Sequence, residues 1–345
     1  MSKPGGFGNS VLLSWCLYDW ANSAFPAVIS TFVFAVYFTE NVAPTPVEGS
    51  VLWSQAITGA GLAIAVLSPI FGAIADQTGR QKIWLVTFTM ICVAGCGLLW
   101  FVRPDPGYIA MALSLYVISG TAFGIAMVFY DSMLTRLVPP DYVGRLSGYG
   151  WAMGYIGGLL CLLVVLFGLV EPKWALIDLN RQEGEHFRAA CLFVALWYFI
   201  FSIPLFFSRT EAAGVSKPTV QAVTAGMQRL GNTLKKMPNE PAVGRFLLAH
   251  MFATNGLTTL ILFGGVYAAG TFGFEISEIL LFAIALYVFA GIGAAVFGWL
   301  DDKIGSKAVI MIALAALLIL VTGLVLATAK AQFWVLGIAL GLFIG

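Results

Sequence analysis

Charge is what this chain has least of. Only 10% of its 345 residues are Asp, Glu, Lys or Arg, whereas an ordinary soluble domain carries about 25%. The formal net charge is +1. A nucleic-acid partner is therefore excluded, because a phosphate-binding face needs a basic excess. Histidine is nearly absent, with only His186 and His250, so a paired-His catalytic set or an H-E-x-x-H zinc helix cannot be assembled. Neither G-x-S-x-G nor a G-x-x-x-x-G-K phosphate loop is present, which removes a serine hydrolase and direct nucleotide drive. The five cysteines (Cys16, Cys92, Cys96, Cys161 and Cys191) fall inside apolar stretches and form no C-x-x-C pair. They read as small packing residues, not as a disulfide framework or a metal site. No catalytic residue, metal or cofactor is expected.

What is abundant is apolar surface: 60% of the residues are hydrophobic and the mean hydropathy is +0.92. A bilayer core about 30 Å thick takes roughly 20 apolar residues per helix. The chain offers such runs at 14–38, 51–75, 83–102, 108–135, 146–170, 188–207, 243–270, 276–300 and 308–328. The first is too long for a signal-peptide core and contains Asp19 and Asn22, so it reads as a retained span. A tenth run begins near Gln332 and stops at Gly345 in mid-stretch, so either the sequence is truncated there or the last segment is not a full span. The expected fold class is all-α integral membrane.

Short cytoplasmic loops are enriched in Lys and Arg. With the N-terminus inside, the inner side holds Lys3, Arg80, Lys82, Arg136, Arg145, Arg209, Lys217, Arg229, Lys235, Lys236, Arg245, Lys303 and Lys307, most of the 18 basic residues. The longest polar stretch, 209–242, carries Val220, Val223, Met227, Leu230, Leu234 and Met237 at steps of three and four. That periodicity predicts an amphipathic helix on the inner membrane surface or on the protein's own underside, in contact with lipid in the first case. It separates residues 1–208, six spans, from 243–345.

After the second span the chain reads Gly72-Ala-Ile-Ala-Asp76-Gln-Thr-Gly79-Arg80-Gln-Lys82. After the eighth it reads Gly298-Trp-Leu-Asp301-Asp302-Lys-Ile-Gly305-Ser-Lys307, with Gly298, Asp302 and Gly305 at the spacing of Gly72, Asp76 and Gly79. Glycine permits the positive φ of a tight turn, and the acid can accept hydrogen bonds from the exposed N–H groups of a neighbouring helix N-terminus. Two copies at equivalent places imply two related halves, a plan common among transporters.

Ionisable and amide side chains within the spans need a reason, since a mid-helix Asp costs about 2.5–3.5 kcal/mol on insertion scales. Asp19 and Asn22 share a face at i, i+3, and Pro26 opens the hydrogen-bond ladder one turn on. His250, Thr254 and Thr258, with Asn255 and Thr259 beside them, form a second polar stripe in the seventh span. Tyr130, Trp151, Tyr155 and Tyr287 are candidate cavity aromatics. Gly154 and Gly158 are spaced for close helix approach.

The repeated loop resembles the signature loop of the major facilitator superfamily, and the resemblance extends from about Ser14 to Gly345. It implies a fold of two related six-helix halves, here lacking its last helices. By position it implies an inner gate of Asp76, Gly79 and Arg80 with Asp131, and of Asp302 and Gly305 in the second copy. Tyr18-Asp19-Trp20-Ala21-Asn22-Ser23-Ala24-Phe25, Phe129-Tyr130 and Gly154-Tyr155-Ile156-Gly157-Gly158 are similar to the vacuolar-effluxer-like, autophagy-related amino-acid exporter branch, of bacterial type. In that branch an acid often precedes the glycine that stands here as Gly256, where this chain has Asn255. The resemblance implies secondary active export of a small solute, amino acids being one candidate class, by alternating access in a bacterial inner membrane. Proton coupling is a further expectation. Asp19, Asn22, Tyr130, His250 and Asn255 are the substrate or coupling candidates. A membrane sensor or scaffold retaining the fold is the alternative.

Overall fold

The computed structural model describes residues 8–78, 81–170, 179–208, 240–274 and 276–344, with 228, 231–232 and 235 between them. The amphipathic helix expected within 209–242 falls almost wholly outside the described residues. Every regular element described is helical: α1 (Asn9–Asn22), α2 (Pro46–Thr78), α3 (Gln81–Leu98), α4 (Ile109–Leu137), α5 (Val143–Val165), α6 (Glu185–Phe207), α7 (Pro241–Phe272), α8 (Ile276–Ile304), α9 (Ser306–Leu326) and α10 (Lys330–Ile344). Eight of the described helical segments are long and apolar enough to cross a membrane.

The helices begin and end where local chemistry requires it. Proline opens α2 and α7 as Pro46 and Pro241, where its missing N–H is no loss. Asp105 accepts a hydrogen bond from the Gly107 amide at 2.7 Å and so caps the turn leading into α4. Gly305 precedes α9 at φ 86°, the positive φ expected of it.

The first span is not one regular helix. Beyond α1, Phe25–Phe32 and Phe38–Val42 are wound as wider π-helical turns around a single α-helical turn, Phe34–Tyr37. Their signature is the i to i−5 bonding of Val33 N to Val28 O at 3.0 Å and of Ala43 N to Phe38 O at 2.9 Å. Pro26, at the start of the first π segment, has no N–H to give to the α ladder.

Two compact units are distinguished, Met1–Pro140 with Ile156–Gly226, and Asp141–Tyr155 with Met227–Gly345. In the first, α1 packs on α6, α4 on both α2 and α3, and α3 on α6. Its interior is aromatic and tightly filled, with Tyr18, Phe34, Tyr37, Phe38, Phe129, Tyr130 and Tyr198 fully buried. In the second, α10 packs on α8 and α9, and Ala268, Phe274, Phe282 and Phe333 form a small core. Leu318, Ile319 and Leu326 on α9 are exposed. Such a helix suits lipid, where its backbone groups are all satisfied internally.

Candidate functional site

Asp19 and Asn22 lie on the last turn of α1 and are buried, 6% and 2% exposed. The Asn22 side-chain amide donates to Asp19 Oδ1 at 3.2 Å, the i, i+3 contact that the spacing predicts. Across from them, α4 supplies Tyr130. Its ring stacks on Trp15 with centroids 4.3 Å apart and planes 8° apart, and lies 5.1 Å from the ring of Tyr18. Trp15 Nε1 donates to the Tyr130 carbonyl at 3.2 Å. The Tyr130 hydroxyl has no hydrogen-bond partner among the described residues. Asp19 and Asp131 are within Coulombic reach of each other, and the Tyr130 hydroxyl is within reach of both. The structure thus gathers Asp19, Asn22 and Tyr130 into one place, with Asp131 exposed beside it on α4.

Three residues that hold this place together were not candidates from sequence. Tyr18 Oη lies 2.7 Å from Thr89 Oγ1 and 3.0 Å from Tyr198 Oη. Thr89 donates its own proton to the Leu85 carbonyl at 2.7 Å. Proton counting then fixes the direction: Tyr18 donates to Thr89, and Tyr198 donates to Tyr18. This buried chain ties α1 to α3 and α6 next to Asp19. The only sequence signal for it was polar side chains at buried depth on three different spans.

The repeated loops differ in how much can be said of them. Of the first, the Asp76 side chain, Gly79 and Arg80 lie outside the described residues. In the second, the Asp302 carboxylate is 2% exposed and sits against the start of α5. Its Oδ1 accepts from the Gly144 amide at 3.0 Å, and its Oδ2 accepts from the Arg145 amide at 3.2 Å and forms an ion pair with Arg145 Nε, 2.9 Å away. An acid receiving the free N–H groups of a helix N-terminus and a charged donor is strongly held. The carboxylate of this loop therefore makes the contact foreseen for its class, and Arg145 is the partner that sequence reasoning missed.

The second polar stripe lies on α7 in the second unit, with His250, Thr254, Asn255 and Thr258 exposed. Thr258 bonds back to the Thr254 carbonyl at 2.9 Å, and His250 lies 6.1 Å from the Phe246 ring. Of the remaining aromatics, Tyr155 contacts both Trp151 and Tyr287, at 5.9 and 5.7 Å. Among the described residues no group of three or more His, Cys, Asp or Glu side chains could hold a metal ion.

Comparison with known proteins follows the same lines. The family model described as vacuole effluxer Atg22 like matches residues 46–345. The MFS-type transporter YxiO of Bacillus subtilis, itself uncharacterized, is 27% identical over 328 residues, covering 94% of this chain and 75% of that one. Among solved structures, the proton:xylose symporter XylE of E. coli superposes with a TM-score of 0.66 at 16% identity, covering 97% of this chain and 79% of its own. The human organic anion transporter MFSD10 gives 0.58 at 14% identity, covering 97% and 82%.

Proposed function

This chain belongs to the vacuole effluxer Atg22 like family, and from that premise we propose that it exports a small solute by alternating access, with Asp19 as the carboxylate that couples export to protons. It is a multi-pass membrane protein of the major facilitator type, a transporter and not an enzyme. The observation that carries the coupling proposal is the burial of Asp19, with one weak neutral partner, in a span whose helix is broken just beyond it. A carboxylate in the membrane is costly, and where it persists it marks a proton or ion path more often than a structural need. That XylE is a proton:xylose symporter supports proton coupling on this scaffold. Amino acids are the first solute class to test, with His250 and Asn255 as further contacts. Residues 1–208 and 243–345 act as the moving halves, joined by 209–242. Asp76, Gly79, Arg80 and Asp131, and in the second copy Asp302 and Gly305, serve as the inner gates.

The experiment is Asp19→Asn in proteoliposomes, assayed with a panel of amino acids. Exchange of substrate for substrate is expected to persist, while accumulation driven by a pH gradient falls to background. The melting temperature of the variant, measured alongside, separates coupling from folding. Unchanged gradient-driven accumulation would refute the role of Asp19. A wild-type protein showing neither flux nor counterflow would favour a sensor or scaffold.

The proposal places the chain in a bacterial inner membrane with its N-terminus cytoplasmic. Single cysteines at Gln77 and Lys303 are then expected to react in intact cells only with membrane-permeant reagents. Labelling of either by an impermeant maleimide would reverse the orientation.

A further inference from the structure

The place around Asp19 offers acceptors and aromatic faces, and no ion pair reaches it among the described residues. Asp19 accepts from Asn22, and among the described residues the ion pairs are Arg145 with Asp302 and Lys330 with Glu278, neither of which involves it. Asp131 adds a second negative charge within Coulombic reach. Tyr130 is 2% exposed, its hydroxyl has no partner among the described residues, and both carboxylates act on it only through charge. Asn22 gives one amide N–H to Asp19 and keeps its carbonyl oxygen as an acceptor, beside a second N–H. Each of these groups can receive a hydrogen bond from a cation.

Two kinds of cation could fill such a place. A bare metal ion needs six or more oxygen ligands, or near-octahedral geometry, and the described side chains provide no cluster able to hold one. An organic ammonium needs fewer acceptors and gains from aromatic π-systems, whose negative faces attract it even in a desolvated setting. Tyr130, stacked with Trp15 and Tyr18 of the helix that carries Asp19, supplies those π-systems with them.

We propose that the Asp19 site recognises its solute by a protonated amino group, held by the Asp19 carboxylate, the Tyr130 hydroxyl and the neighbouring aromatic rings of Trp15 and Tyr18. The cluster contains no positive side chain among the described residues to hold a carboxylate. The amino group is what this site reads, so an amine without a carboxylate binds there as well as the corresponding amino acid.

This inference rests on the reading of the chain as a transporter with Asp19 as its functional membrane carboxylate, but binding alone tests it. The purified full chain in detergent would be melted with phenethylamine hydrochloride, L-phenylalaninamide hydrochloride, L-phenylalanine, 2-phenylethanol, or sodium chloride at matched ionic strength. The two cationic amines are expected to raise the melting temperature saturably, while the neutral alcohol and the sodium salt leave it unchanged. Tyr130→Phe should raise the half-saturating amine concentration about fivefold, as for one lost hydrogen bond, and Asp19→Asn should raise it more than about tenfold, as for a lost charged partner, so that exchange persists only at saturating solute. A shift of equal size from 2-phenylethanol or from sodium, no shift from either amine, or amine shifts indifferent to both substitutions would overturn the proposal. If gradient-driven transport at saturating solute survives Asp19→Asn while the amine affinity falls, the coupling role fails and the recognition site stands. The opposite pattern removes only the recognition site.

Discussion

A Gly157→Leu variant is expected to yield almost no monodisperse protein and no transport. A Cβ built at Gly157 would stand 2.5 Å from the Trp20 carbonyl oxygen and 2.8 Å from the Trp20 Cα. Backbone atoms in a helix cannot yield as the tip of a side chain can, so α5 must move off α1. Overpacking a tight interface usually costs about 1–3 kcal/mol and occasionally more, and here the whole side chain of leucine has to be accommodated. The residue struck is the immediate neighbour of Asp19, so even protein that folds would carry a displaced carboxylate. Gly157→Ala already places that Cβ and should give an intermediate loss. Gly61→Ala on α2 is the control, since nothing lies within 4 Å of its Cβ position. Size-exclusion yield and melting temperature measure all three. A Gly157→Leu protein with wild-type values in both would show that the two helices do not depend on this contact.

The second large effect is expected at Asp302. Its removal in Asp302→Ala leaves the Gly144 and Arg145 amides and the Arg145 guanidinium without the acceptor they share. Losing a helix N-cap costs about 1 kcal/mol, and breaking a buried ion pair from one side costs about 3–5 kcal/mol. Arg145 is 35% exposed at its side chain, so water recovers part of the second cost, and a total of about 2–4 kcal/mol is expected. The melting temperature should fall by several degrees. Asp302→Asn keeps an acceptor for the helix end and loses the charge, so it should fall about half as far. Arg145→Ala should be milder still, because Asp302 would keep both amide donors. If Asp302→Asn and Asp302→Ala are equally damaging, the charge pair matters and the cap does not.

The sequence made the spans legible because hydrophobic length is a one-dimensional property. The runs read at 108–135 and 276–300 are observed as Ile109–Leu137 and Ile276–Ile304. It also made the Asp19 and Asn22 pair legible, since an i, i+3 contact depends on local geometry alone. What it hid was contact between distant residues. Tyr18 meets Tyr198 across 180 positions and Gly144 meets Asp302 across 158, and no periodicity along the chain encodes such a meeting. The stacking of Trp15 on Tyr130 was hidden for the same reason. Pro26 announced a break in the first span, but not that the break would be taken up as wider turns instead of a kink.

Those wider turns set a gearing in the first span. In an α-helix each residue advances the direction of its side chain by about 100°, and a π turn carries one residue more than its α counterpart before the chain comes round. If Phe25–Phe32 rewound into α geometry, everything on one side of it would turn by about that angle relative to the other. Asp19 and Asn22 lie before the slack and Phe34 and Tyr37 after it. The first span thus resembles two shafts joined by a clutch. The end that carries Asp19 can hold the carboxylate fixed beside Asn22 while the other end swivels, and deleting one residue from within 27–32 would lock the two ends together.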